Sequence, residues 1–296
     1  MTKTLYIIGN GFDLHHGIKC RYADFKKYCE GQDEEMAKHL EMFHENPEQL
    51  WSDFEAEMGN IDADKLLGWT RLLDSEWNTS WKGHYRFVDE VSEEVDYLRT
   101  LTLSFRDWVL SLKLEDVKPM LKLEKQDSLF LNFNYTKTLE EVYHIRRNQI
   151  WYIHGVAEGD FANLIVGHNL SEREVWKKFS SDNKLEEEAR KDIVELVTGW
   201  RKPTEQIIAG NEGFFQSLDS VKEVMVLGHS MASVDMPYFQ EVKDNTSPDT
   251  TWGISVFDER DYQRKTEAVE ELELRKGNVR FFHLEDISLR REGDLF

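Results

Sequence analysis

Residues 4–25 read TLYIIGNGFDLHHGIKCRYADF, and this stretch decides the fold. Leu5, Tyr6, Ile7 and Ile8 form a short, β-prone apolar run that stops at Gly9-Asn10-Gly11, the pattern of a buried strand entering a glycine turn. Glycines at 9 and 11 let the main chain approach a ligand closely, and a helix opening after Phe12 would turn its N-terminus toward phosphate. The spacing of Gly9, Gly11 and Gly17 differs from the G-x-G-x-x-G dinucleotide fingerprint. Taken alone, the segment reads equally as a tight structural turn or as a nucleotide-binding βα turn.

Downstream, Tyr22, Phe25, Tyr28 and Cys29 recur at helical intervals and predict the first helix. An acidic, polar stretch broken at Pro47 leads to a second helical face of Trp51, Phe54 and Met58, on which Asp53 and Glu55 are read as solvated. From Phe87 through Val91, Val95, Leu98, Leu101, Phe105 and Trp108 to Leu112 the apolar spacing predicts one long amphipathic helix. The segment SLFLNFNYTKTLEEVYHI then supplies a buried strand over residues 129–133, with Thr138 and Glu141 as a capping box for the next helix.

Two further strands are expected in QIWYIHG, ending at His154-Gly155, and NLIVGHN, ending at Gly167-His168-Asn169. EVMVLGHSMASVD repeats the opening pattern, with an apolar run, Gly228, and polar residues before Pro237. TWGISVFD and NVRFFHL read as the last strands, flanking a charged helix from about residue 259 to 275. Strands interleaved with helices predict an α/β, Rossmann-like fold, a mostly parallel sheet with helices on both faces. The whole chain, 1–296, reads as a single domain carrying a large helical insertion over 20–127, expected to lie over the strand ends as a lid. A second, smaller helical segment is expected over 171–220.

The balance of 37 basic against 57 acidic residues, a net charge of −20, disfavours a phosphate backbone as partner, and no run of Lys and Arg compensates. Cys20 and Cys29, the 2 cysteines, suit neither a disulfide framework nor a four-cysteine zinc site, which favours a reducing, cytoplasmic setting. The N-terminal apolar run is too short for a signal-peptide core, and no run reaches membrane-span length.

Four strand ends carry polar, glycine-flanked residues: Gly9-Asn10-Gly11 with Asp13, Asn134-Tyr135-Thr136, His154-Gly155, and Gly228-His229-Ser230 with Asp235. In open α/β sheets ligands bind at the carboxyl ends of strands. There the glycine turns can hold a pyrophosphate and Asn134 can orient a water or a ribose hydroxyl. His154 can act as a general base, while Ser230 and Asp235 can bond ribose hydroxyls. Singly, Asn134 as a helix cap and His154 as a core histidine are the commoner roles. Their joint placement at strand ends favours a site.

The motifs IIGNGFDLHHGIKCRYADF, WSDFE, LNFNYTKTLE, YIHG and LGHSMASVDMPYF, in this order, resemble the AbiH family of bacterial abortive-infection proteins. More distantly they are similar to sirtuin-like NAD-binding domains, including those that hydrolyse NAD in phage defence. That similarity implies Gly9, Gly11, Gly17 and Asp24 as the opening nucleotide motif and Asn134 as the residue positioning the nucleophilic water. It also implies His154 as the catalytic histidine and Gly228, Ser230 and Asp235 as a ribose loop. NAD is then a substrate, with no cofactor, and an activating protein or a second copy of the chain is an expected partner. The zinc module of sirtuin deacetylases has no counterpart, which favours glycohydrolysis over deacetylation. Two other classes stay open: a metal-dependent phosphoesterase or nuclease using Asp13, His15, His154, His168 and His229, and a nonenzymatic nucleotide sensor.

Overall fold

The structure, a computed structural model, describes residues 3–73, 79–159 and 164–289. Six strands form a single sheet in the order β3-β2-β1-β4-β5-β6, and every pairing is parallel. The strands are β1 (Lys3–Ile8), β2 (Ser128–Asn132), β3 (Ile150–Tyr152), β4 (Val221–Leu227), β5 (Thr251–Ser255) and β6 (Val279–Phe282). Their sequences are short apolar runs because a parallel sheet covered by helices is dry on both faces. Leu5, Ile7, Leu131, Val224, Val226 and Ile254 are accordingly fully buried. The fold is α/β and Rossmann-like.

The strand order reverses between β1 and β4, the neighbours at which the chain leaves in opposite directions across the sheet. A doubly wound sheet opens a crevice at the carboxyl ends of such a pair. Register levels the strand ends there. Ile8 of β1 pairs with Asn132 of β2 and with Leu227 of β4, and Asn132 pairs with Tyr152 of β3. Val226 pairs with Ile254, so Leu227 is level with Ser255 of β5. The residues two places beyond this row are His154, Asn134, Asn10, His229 and Phe257, one from each of the strands β3, β2, β1, β4 and β5.

The chain divides into two compact units. The first, Met1–Cys20, Val109–Leu164 and Pro203–Phe296, contains the whole sheet. Its core below the strand ends includes Phe12, Phe130, Leu139, Tyr143, Met225 and Leu227. The second, Arg21–Trp108 and Ile165–Lys202, is helical, with an aromatic centre in which Phe25 meets Trp51, Phe54, Phe105 and Trp108 at ring distances of 5.2–6.0 Å.

Four local expectations change. The long helix over 87–112 is two helices, Trp81–Arg99 and Leu101–Ser111, interrupted at Thr100. The Thr100 hydroxyl donates to Tyr97 O (2.7 Å) and the Thr102 hydroxyl to Arg99 O (3.3 Å), so side chains occupy carbonyls at the break. NLIVGHN forms no strand among its described residues, and Asn163 lies outside them. Gly167, at φ 147°, brings the chain so close to Trp200 that a Cβ would lie 1.6 Å from its carbonyl oxygen, and only a single bridge, His168 to Arg201, remains. Thr138 is the first residue of the short helix Thr138–Glu141 rather than its cap, and its hydroxyl meets Thr136 Oγ1 at 3.1 Å. Glu55 is not solvated: its Oε2 accepts a 2.5 Å hydrogen bond from Lys202 Nζ, and Lys202 is 2 % exposed.

Candidate functional site

At the switch point the two glycine turns interlock. Gly9 N donates to Leu227 O (3.0 Å), Gly11 N to Gly228 O (2.7 Å) and Phe12 N to Gly9 O (2.9 Å). A Cβ on Gly11 would sit 2.7 Å from Gly228 O, and one on Gly228, whose φ is 65°, would sit 2.0 Å from Phe12 N. Glycine is therefore required because two main chains pass through one another's side-chain space. Three of the N–H groups expected to receive a pyrophosphate are spent on this junction. The helix that follows, α1 (Asn10–His15), is only 6 residues long, and Gly17, at φ 77°, ends it. Asn10 is exposed, yet its side chain is tied to the chain leaving α1: Nδ2 donates to Cys20 O (3.0 Å) and Oδ1 accepts from Cys20 Sγ (2.8 Å).

Asn134, beyond β2, is buried against this junction and caps no helix. Its Nδ2 donates to Gly9 O (3.1 Å) and its N–H to Asn132 Oδ1 (3.1 Å). Its amide nitrogen is thereby fixed on the β1 turn, leaving the Oδ1 end to turn the other way. His154, beyond β3, is 2 % exposed and packs its ring edge-on to Phe133 at 5.3 Å and Tyr238 at 5.6 Å, with half-buried Tyr135 at 6.5 Å.

Asp235 precedes the helix Met236–Asp244, where an aspartate ordinarily caps the backbone, but its side chain makes no capping bond. The carboxylate instead faces two imidazoles, with Oδ1 3.8 Å from His154 Nε2 and Oδ2 3.5 Å from His229 Nε2. His229 Nδ1 accepts from Met231 N (2.9 Å), which places the proton of the neutral ring on Nε2, toward Asp235. Met231 holds a left-handed φ of 54° in the same loop, a strained conformation for a methionine. Phe133 forms the wall between the histidines, 4.3 Å from the His229 ring. Ser230, in this loop, is exposed.

Asp13 closes the other side. It is 1 % exposed; Oδ2 accepts from Thr136 Oγ1 (2.5 Å), and Oδ1, also buried, accepts no hydrogen bond of ordinary length among the described residues. Burial pushes its pKa up to about 6 against the opposing pull of the Thr136, Thr138 and Asn134 side chains.

The structure thus brings together Gly9, Gly11, Asp13, Asn134, Tyr135, Thr136, His154, Gly228 and Asp235 in the sheet-bearing unit. Asp24 lies in the helical unit, where Oδ2 accepts from Arg21 N (3.2 Å) at a helix start. His168 is also in that unit, with Nε2 donating to Val197 O (2.8 Å) and Nδ1 accepting from Leu170 N (3.1 Å), so both ring nitrogens serve the backbone. Among the described residues no group of three or more His, Cys, Asp or Glu side chains is arranged to hold a metal ion. His229 as Asp235's second partner was missed by sequence reasoning that weighed it only as a metal ligand. The signal was present in the glycine-histidine pair that ends β4.

The sequence model of the family described as "Bacteriophage abortive infection AbiH" matches residues 5–256, so it covers every residue of the strand-end row except Phe257. No curated protein and no solved structure matches the chain. The chain belongs to the AbiH family, which places it in phage abortive infection.

Proposed function

We propose that this AbiH-family protein acts in abortive infection as a glycohydrolase that cleaves NAD at the nicotinamide–ribose bond. One observation carries the reading: Asn134 beyond β2 and a buried imidazole–carboxylate–imidazole set, His154 beyond β3 with Asp235 and His229 beyond β4, stand at the carboxyl ends of strands on either side of central β1.

The reaction needs a water held on one face of the ribose, a base to take its proton, and help for the positive charge that develops at C1′. Asn134, its Nδ2 fixed on Gly9 O, offers Oδ1 to a water. As the water oxygen bonds to C1′ and the C1′–N1 bond breaks, the bonding pair leaves with nicotinamide, which departs neutral. The water's proton passes to His154, and the Asp235 carboxylate stabilises the imidazolium that forms. The products are nicotinamide, ADP-ribose and a proton. Asp13 Oδ1 is suited to accept a hydrogen bond from a ribose hydroxyl.

Nicotinamide release from NAD, with and without EDTA, tests the reading. Wild type should release nicotinamide in EDTA, and His154→Ala should reduce turnover by about 10²- to 10⁴-fold, the range for loss of a general base. Asn134→Ala should be similarly impaired. Wild-type turnover in both variants would remove these residues from the site. Burial of nearly all the site side chains favours one second reading, a sensor that retains the nucleotide intact. NAD recovered unchanged after long incubation with binding protein would select it.

A further inference from the structure

We propose that Phe257 is a stacking platform for the distal base of the nucleotide, so that the site takes a pyrophosphate-linked dinucleotide rather than a mononucleotide. The inference rests on the nucleotide reading above and extends it to a residue outside the family match.

Phe257 is 83 % exposed, the most exposed of the described large hydrophobic side chains. A lone surface aromatic usually needs no explanation. This one is unusual because its main chain is anchored at every step. Ser255 Oγ accepts from Gly228 N (2.8 Å), tying the end of β5 to the glycine junction. Ser255 O accepts from Nζ of buried Lys265 (2.6 Å), and Val256 N donates to Phe282 O (2.8 Å). Phe257 N donates to Asp261 Oδ2 (3.0 Å), the same oxygen that holds Lys265 Nζ at 2.7 Å. A buried lysine and a half-buried aspartate thus fix the backbone beneath a ring left in solvent. Preorganised aromatic surface of this kind stacks planar ligands with little further loss of conformational freedom.

Position selects the ligand. Phe257 occupies the same place, two residues past the level row, as Asn134 and His229 do on β2 and β4. β2 and β5 are three strand spacings apart, on the order of 14 Å at roughly 4.8 Å each. A dinucleotide whose glycosidic bond lies at Asn134 reaches that far with its second base. A mononucleotide held at the same point does not.

Binding to the full chain of NAD, ADP-ribose and nicotinamide mononucleotide, compared between wild type, Phe257→Ala and Phe257→Trp, tests the assignment. The expected result is about tenfold weaker binding of NAD and ADP-ribose by Phe257→Ala, no change for the mononucleotide, and recovery in Phe257→Trp. The exposed ring should leave the melting temperature unchanged. Unaltered NAD binding in Phe257→Ala overturns the platform and leaves the hydrolase reading standing. Equal weakening of NAD and the mononucleotide also overturns it. Wild type that binds neither NAD nor ADP-ribose overturns both readings together.

Discussion

Asp13 is a carboxyl group that the fold prefers protonated. Its folded pKa of about 6 lies above the unfolded value of 3.8, so between those values the folded chain holds a proton that the unfolded chain has lost. Stability is fully present below the lower value and declines as pH rises through the upper one, by at most roughly 3 kcal/mol. Asp13→Asn keeps an acceptor for Thr136 without the charge. Its melting temperature should gain on that of wild type between pH 4 and 7, and parallel curves would remove the buried carboxylate as the cause. Gly228→Ala tests the junction: a left-handed residue whose Cβ would lie 2.0 Å from Phe12 N should cost more than about 2 kcal/mol, read by denaturant melts. The placement of Asn134, His154 and Asp235 was legible in the sequence because glycine-flanked polar residues following apolar runs mark strand ends. The spent N–H groups of Gly9 and Gly11 were not, because their partners, Leu227 and Gly228, lie more than two hundred residues downstream.

At the scale of elements, each of the six strands was readable from its apolar run, and the order was not. Leu5 to Ile8 looks alike whether it lies at the edge or the centre, and only pairing to both β2 and β4 makes it central. The break at Thr100 was hidden for a different reason: apolar spacing runs through it unbroken, while the cause is two threonine hydroxyls. Glu55 was hidden by the distance in sequence to Lys202. That pair gives a prediction for the helical unit. Glu55→Gln leaves a buried ammonium without its carboxylate and should cost about 3–5 kcal/mol. The double variant Glu55→Leu, Lys202→Met should recover most of the loss, as measured by chemical denaturation. If the double variant is as unstable as the single, bonds from these side chains to other groups, rather than the uncompensated charge, set the cost.

For the molecule as a whole, a net charge of −20 is a source of self-repulsion that salt relieves. Exposed ion pairs such as Lys38 with Glu34 and Arg275 with Asp249 are weakened by the same salt but, being solvated, contribute little. Raising sodium chloride from about 20 to about 200 mM, which shortens the screening length from roughly 20 Å to under 10 Å, should therefore raise the melting temperature. A fall would mean that the ion pairs outweigh the repulsion. The arrangement of the sheet also bears on how the protein is made. Central β1 is made before the other five strands of the sheet, and its β4 partner follows about 200 residues later, a wait of roughly 10 to 40 s at ordinary elongation rates. Until Asp235 has emerged, His154 lacks the carboxylate that faces it and the glycine junction has only one half. A chain abandoned part-way through translation would therefore hold only half of the strand-end arrangement, and under the proposed function it would carry no activity.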